Sequence, residues 1–202
     1  MSYTDGDDGS DGGDDSVDSV TFSTVAQIAY EQSVTTILQT LNGGFIDKFI
    51  AAVPFTDQNT LVNSRQALNN KMNNDGLMGT QRILATALWA EQNRAGNCEE
   101  FSCVALKYLY YNTSYISAGI WHDGIGGSDF GNHQITILNG PFAGDNSDAF
   151  QATDPNSWSG SNIWVIDGWN KYVFAFDTAT FGQYYGAQTW KIHYSQTGVG
   201  SS

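Results

Sequence analysis

Three side chains capable of nucleophilic catalysis stand in this chain where local structure would present them. Cys98 follows the small turn Ala95-Gly96-Asn97 and opens an apolar-periodic segment: Phe101, Val104, Ala105, Tyr108 and Leu109. The spacing predicts a helix with Asn97 as N-cap and Cys98 in its first turn. A first turn carries unpaired backbone N–H groups and the positive end of the helix dipole, which favour thiolate over thiol. His133 opens the run His133-Gln134-Ile135-Thr136-Ile137-Leu138, and Asp167 closes Asn162-Ile163-Trp164-Val165-Ile166-Asp167. A thiol at a helix start, with an imidazole and a carboxylate at strand ends, is the layout of a cysteine-nucleophile enzyme. The imidazole takes the thiol proton and the carboxylate holds the imidazole tautomer. The backbone N–H of Cys98 is the natural oxyanion donor, and Asn97, Trp164 and Trp169 are the expected borders of the substrate cleft.

Each residue also has a plainer reading. A free cysteine usually acts as a small buried hydrophobe, and Cys103, further along the same helix, fits that description. On one helix Cys98 and Cys103 differ by a rise of about 7.5 Å, which argues against a disulfide between them. His122 leads into Asp123-Gly124-Ile125-Gly126-Gly127, and His193 lies inside the last strand with no acid nearby in sequence. His133 is therefore the preferred imidazole. Asp167-Gly168 is also a common turn pair. Glu99 and Glu100 suit the helix dipole but oppose a neighbouring thiolate, which leaves activation of Cys98 to an imidazolium partner.

The elements that must position these residues divide the chain in two. From Val20 to about Leu109 the pattern is helical. Val25, Ile28, Ala29, Val34, Ile37, Leu38 and Leu41 predict one helix, with Gly43-Gly44 as its stop. A second is expected from Phe45 to Val53, before Pro54. A third is capped by Asp57 or Asn59 and carries Leu61, Val62, Leu68 and Met72. A fourth starts at Thr80, and the Cys98 helix follows. After Asn112 come short β-rich runs at 114–121, 133–138, 162–167, 172–176 and 190–194, separated by Gly, Asn and Asp. Residues 139–161 read as a long polar surface loop. Helices followed by consecutive strands predict an α+β domain, with the N-terminal helices packed on an antiparallel sheet.

Composition bounds the rest. The net charge is −13, and seven of the 21 acids lie in residues 1–18, which contain no Lys or Arg. Residues 1–19 are Asp, Gly and Ser almost throughout and read as a disordered acidic tail. Residues 20–195 read as a single α+β catalytic domain, and 196–202 as a flexible C-terminus. Eight basic residues in all argue against nucleic acid or an anionic membrane surface as partner. The expected partner is a protein substrate, with no membrane span and no cofactor. Two cysteines and three scattered histidines lack the spacing of a zinc site, so no metal is expected. The N-terminus shows no basic and apolar signal pattern. The expected location is secreted without a cleaved apolar signal, with delivery into a host cell and an export chaperone as a partner, or else cytoplasmic.

Ala95-Gly96-Asn97-Cys98, Glu100, an apolar helix, His133 opening a strand and Asp167-Gly168-Trp169 closing one resemble the Cys-His-Asp proteins of the papain/transglutaminase-like superfamily. The look is nearest to bacterial effector and toxin cysteine proteases and glutamine deamidases, and it spans residues 92–169. Glu99 stands where that pattern usually has Gly, and Gly168 where it usually has Pro. The resemblance implies hydrolysis or acyl transfer at amide bonds of a protein, by glutamine deamidation or peptide-bond cleavage. It also implies Gln92, six residues before the nucleophile, as an oxyanion-hole donor. The polar last turn of the preceding helix is the other reading of Gln92. A cell-wall amidase with the same triad, or a protein-binding domain with an inert Cys98, are the alternatives.

Overall fold

Apolar residues at helical spacing produce four helices in the first half, in the order α1 (Asp15–Thr36), α2 (Gln58–Asn74), α3 (Gly79–Asn93) and α4 (Cys98–Asn112). The strands follow as β1 (Ile116–His122), β2 (His133–Leu138), β3 (Asn146–Thr153), β4 (Trp164–Asp167), β5 (Tyr172–Ala175) and β6 (Trp190–Thr197), with α5 (Thr178–Tyr185) between the last two. The computed structural model describes residues 15–41, 57–122, 133–142, 146–186 and 189–200, with side chains from residue 21 onward except at 146–150. The strands form one antiparallel sheet in the order β3-β6-β1-β2-β4-β5. The molecule is thus α+β, as the order of patterns in the sequence predicts.

Strand alternation divides the core between the two sheet faces. On one face, Leu138 of β2 and Ile166 of β4 join Ala105 and Leu109 of α4 and Ala26 and Ala29 of α1. Helix α3 supports α4 from behind, where Ile83, Ala87 and Ala90 pack with Phe101 and Val104. On the other face, Ile135, Ile137 and Val165 meet Phe181 and Tyr185 of α5 and Trp190 of β6. Burial of these side chains stabilises the fold at roughly 25 cal/mol per Å² of apolar surface removed from water.

Several boundaries differ from the sequence expectation, each for an identifiable reason. Helix α1 ends at Thr36 rather than near Leu41, because the chain that follows pairs with the short segment leading to Cys98. Leu38 N and Gln39 N donate to Arg94 O (2.8 and 3.2 Å), and Gly96 N donates to Gln39 O (3.1 Å). At the other end, α1 begins at Asp15, inside the stretch read as an acidic tail. Residues 1–14 and the helix expected over 45–53 lie outside the described residues.

The polar stretch 139–161 is not simply a loop. It contains β3, an edge strand on β6, and a short 3-10 turn at Pro155–Ser157. Its sequence, Asn146-Ser147-Asp148-Ala149-Phe150-Gln151-Ala152-Thr153, carries little apolar alternation, so the strand follows from its pairing with β6 and not from local pattern. Helix α5 escaped the sequence reading although Asp177 caps it, accepting from Thr180 N at 2.8 Å; eight residues offer little periodicity. The C-terminal segment is held rather than loose as far as Gly200. β6 runs to Thr197, and the N–H groups of Gly198, Val199 and Gly200 donate to Tyr115, Tyr110 and Thr113 carbonyls.

The approach to Cys98 is sterically tight. A Cβ at Gly96 would overlap Glu100 Cβ and crowd Ile37 Cδ1. Gly96→Ala should therefore cost about 1–3 kcal/mol of unfolding free energy, the usual penalty for overpacking. Denaturant unfolding of the variant beside the wild type measures it, and an unchanged midpoint would show that the turn yields freely.

Candidate active site

Helix α4 starts at Cys98, with Asn97 as N-cap. The start is fixed from both sides. Glu100 Oε2 accepts from Asn97 N at 2.8 Å, satisfying a backbone donor that the helix leaves open, and Asn97 Oδ1 accepts from Leu41 N at 3.1 Å. Cys98 is half-buried and outside any disulfide, whereas Cys103 is sealed in the core. Burial pushes the Cys103 thiol well up from its ordinary value, which leaves it protonated and unreactive at neutral pH.

His133 Nε2 lies 2.8 Å from Asp167 Oδ2, and the His133 ring also hydrogen-bonds the Cys98 side chain. An ionised carboxylate only accepts, so Nε2–H donates to Asp167, which leaves Nδ1 as the basic nitrogen of the neutral ring. The three residues of the expected triad are therefore one hydrogen-bonded chain. By alternation along β2, His133 shares a face with Ile135 and Ile137, opposite α4. It reaches Cys98 because both stand at the same end of the sheet: β2 begins there and β4 ends there.

Asp167 is only 1% exposed and is heavily supported. Its Oδ2 also accepts from Tyr185 Oη and from Asn170 Nδ2, both at 2.9 Å, and its Oδ1 accepts from Asn170 N at 3.0 Å. Burial, with the carboxylate beside it, pushes the Tyr185 phenol far up, so the hydroxyl remains a donor. Asn170 and Tyr185 are second supports that the sequence reading missed. Asn170, three residues after Asp167 in the β4–β5 turn, carries a readable signal, since an Asx-type turn brings residue i+3 back onto the side chain. Tyr185 carries none, because it depends on the packing of α5.

An open cleft of about 320 Å³ lies in front of Cys98. Asn97, Glu99, Trp121, Gln134 and His193 are among its lining residues. Asn97, expected at the border of a cleft, is among these lining residues. Trp164 and Trp169 are not among the lining residues; Trp164 packs beneath α1 and α4, and Trp169 sits edge-on to Phe101 at 6.0 Å. Gly168 is what allows that turn to approach, since a Cβ there would meet Ser33 Oγ and Phe101 Cδ1. Gln92 is exposed near the end of α3 and is not among the cleft residues either. Gln134, next to His133 in sequence, does line the cleft, and its Oε1 accepts from His193 Nδ1 at 2.8 Å. A register shift in β6 puts His193 and Tyr194 in stacked contact, with ring centroids 3.7 Å apart. His122 is buried against Trp190, with its ring centre 6.0 Å from that of His133.

Comparison with protein-family models, with curated proteins and with solved structures finds no match. Among the described residues, no helix is long and apolar enough to cross a membrane.

Burial works against a charged His133, but hydrogen bonds to Asp167 and Cys98, with the charges they carry, outweigh it and raise the pKa from 6.5 to about 9. A folded-state value above the unfolded one adds stability that is complete below about pH 6.5 and disappears as pH rises through about 9. The difference in unfolding free energy between wild type and His133→Gln should therefore shrink between pH 6.5 and 9.5 in denaturant titrations. A difference that stayed constant over that range would show that His133 is not held as the imidazolium.

Proposed function

We propose that this protein is a cysteine-nucleophile hydrolase or acyltransferase acting on amide bonds of a protein substrate, with a papain/transglutaminase-like core. The observation that carries the reading is the hydrogen-bonded chain Cys98–His133–Asp167, with Cys98 at a helix start on an open cleft. The buried Cys103 has none of these attributes. With the proton on His133, the Cys98 thiolate attacks the carbonyl carbon, and the oxyanion forms near the backbone N–H of Cys98. His133 then gives its proton to the departing nitrogen as the C–N bond breaks, leaving a thioester on Cys98. Water, deprotonated by His133, attacks the thioester; the acid leaves and the thiol is restored. A glutamine side chain would release ammonia and a peptide bond would release an amine.

Asp167 orients the ring and stabilises its charge without itself taking the proton. The raised pKa of His133 suits the acid half of the cycle, so turnover falls as pH rises through about 9, where the imidazolium is lost. The resemblance of the Gly-Asn-Cys, His and Asp-Gly-Trp segments to bacterial effectors favours a host protein as substrate.

Amide-cleavage and ammonia-release assays on candidate proteins test the reading. Cys98→Ala and His133→Ala should each abolish turnover, and the double variant should be scarcely worse than either, because the residues act as a unit. Asp167→Asn should lose on the order of 10⁴ in kcat, the loss known for the corresponding tautomer-fixing carboxylate of serine proteases. Cys103→Ala should retain activity. Full activity in all the triad variants would move the protein to the binding-domain alternative.

A further inference from the structure

Two carboxylates follow the nucleophile directly, and the structure answers them with one buried cation. Arg65, on α2, is 6% exposed. Its Nε donates to Glu100 Oε1 at 2.5 Å and its Nη2 to Glu99 Oε2 at 3.0 Å. Its Nη1 donates to Asn69 Oδ1, and the guanidinium lies 5.9 Å from the Trp89 ring centre. Glu100 is 2% exposed, and its other oxygen holds the N-cap of α4 through Asn97 N. Glu99 Oε1 accepts from Tyr194 Oη at 3.2 Å. Arg65, Glu99, Glu100 and Cys98 all border the same cleft.

We infer that Arg65 is a positioning residue for Cys98: its guanidinium grips both acids, keeps Glu100 locked on the helix cap, and offsets negative charge that would otherwise oppose the thiolate. This inference rests on Cys98 being the nucleophile. A single guanidinium serves here where a lysine would not, because its planar fork reaches two carboxylates at once. Breaking a buried pair by removing one partner leaves an uncompensated charge, so the acids and Arg65 depend on each other. Burial acts against the Arg65 charge, yet Glu100 and Glu99 more than compensate and hold it protonated.

The other titratable and charged groups of the surrounding elements have partners of their own. His133 of β2 faces Cys98, backed by Asp167 of β4; His193 of β6 lines the cleft, and the buried Tyr194 reaches Glu99. Arg82 of α3 acts on Tyr194, and Tyr30 of α1 senses Asp167. Lys191 of β6 lies over Trp121, 5.6 Å from the ring centre. At a distance along α4, Lys107 is paired with Glu91 at 2.5 Å. Among these groups Arg65 is the cation tied directly to the two acids that follow Cys98.

The experiment is the rate of Cys98 alkylation by iodoacetamide from pH 4 to 10. It is read by peptide mass spectrometry on the full chain, with the buried Cys103 as internal control. Arg65→Gln should move the midpoint of the profile up by about one pH unit, so that alkylation at a pH below the midpoint slows roughly tenfold. Glu99→Gln, which removes a carboxylate, should move it down. Arg65→Lys, which keeps the charge but not the fork, should fall between wild type and Arg65→Gln. A purely structural role would slow alkylation in Arg65→Gln and Glu99→Gln alike, so opposite shifts support the inference. Coincident profiles, or shifts of the same sign, overturn it. Should thermal melts show Arg65→Gln unfolded, the decision falls to Glu99→Gln, where an unshifted profile overturns the inference. Wild-type Cys98 that resists alkylation throughout would instead defeat the nucleophile reading itself, and this inference with it.

Discussion

A carboxylate cut off from water must be given donors by the protein, and Asp167 takes them from three separate elements. Isolating an ionised carboxylate costs several kcal/mol unless its lone pairs are satisfied. Here His133 of β2, Asn170 of the β4–β5 turn and Tyr185 of α5 supply four hydrogen bonds among them. The requirement ties together one end of the sheet, the turn beyond it and the helix on its far face. If any of these elements were displaced, a buried charge would lose a partner. The same group that orients the imidazole therefore holds its surroundings in register.

The opposite side of the site obeys a different constraint. Cys98 must arrive at a helix start, with its approach held still. The approach is held by the parallel bridge between Gln39 and Ala95, by Asn97 receiving Leu41 N, and by Arg94 in a left-handed conformation. The Arg94 guanidinium reaches back to the Thr35 and Thr36 carbonyls, both at 2.7 Å. Residues distant in sequence thus fix the short turn ahead of Cys98. At the site the two halves are joined by the Cys98–His133 hydrogen bond, and behind it by the packing of α4 on β2 and β4.

Elements from both faces of the sheet meet at one place because His133 and Asp167 stand at strand ends. In mid-strand, alternation would keep His133 on the α5 side, away from α4. At the first residue of β2 the ring can pass the end of the sheet and meet the helix. The bulge in β6 has a comparable effect, turning His193 toward Gln134 and the cleft. These irregular positions are where the sheet stops being a layer and becomes a wall of the site.

Much of this was legible from local pattern. The Gly-Asn-Cys lead-in, the Phe101/Val104/Ala105 spacing and the position of His133 and Asp167 at the ends of apolar runs are properties of adjacent residues. The α4 start, β2, β4 and the α+β class follow from them, since period and capping act over a few residues. The end of α1, the β3 edge strand and α5 did not follow, because long-range backbone pairing and packing outweighed weak local preference there. Among individual residues, the division is the same. Sequence order alone singled out Cys98, His133 and Asp167, and Asn170 was within its reach. Only the tertiary structure brought Tyr185 to Asp167, Arg65 to Glu99 and Glu100, and Trp121 and Gln134 to the cleft, while leaving Gln92, Trp164 and Trp169 off its lining. Those contacts join elements far apart in the chain, and no local spacing encodes them.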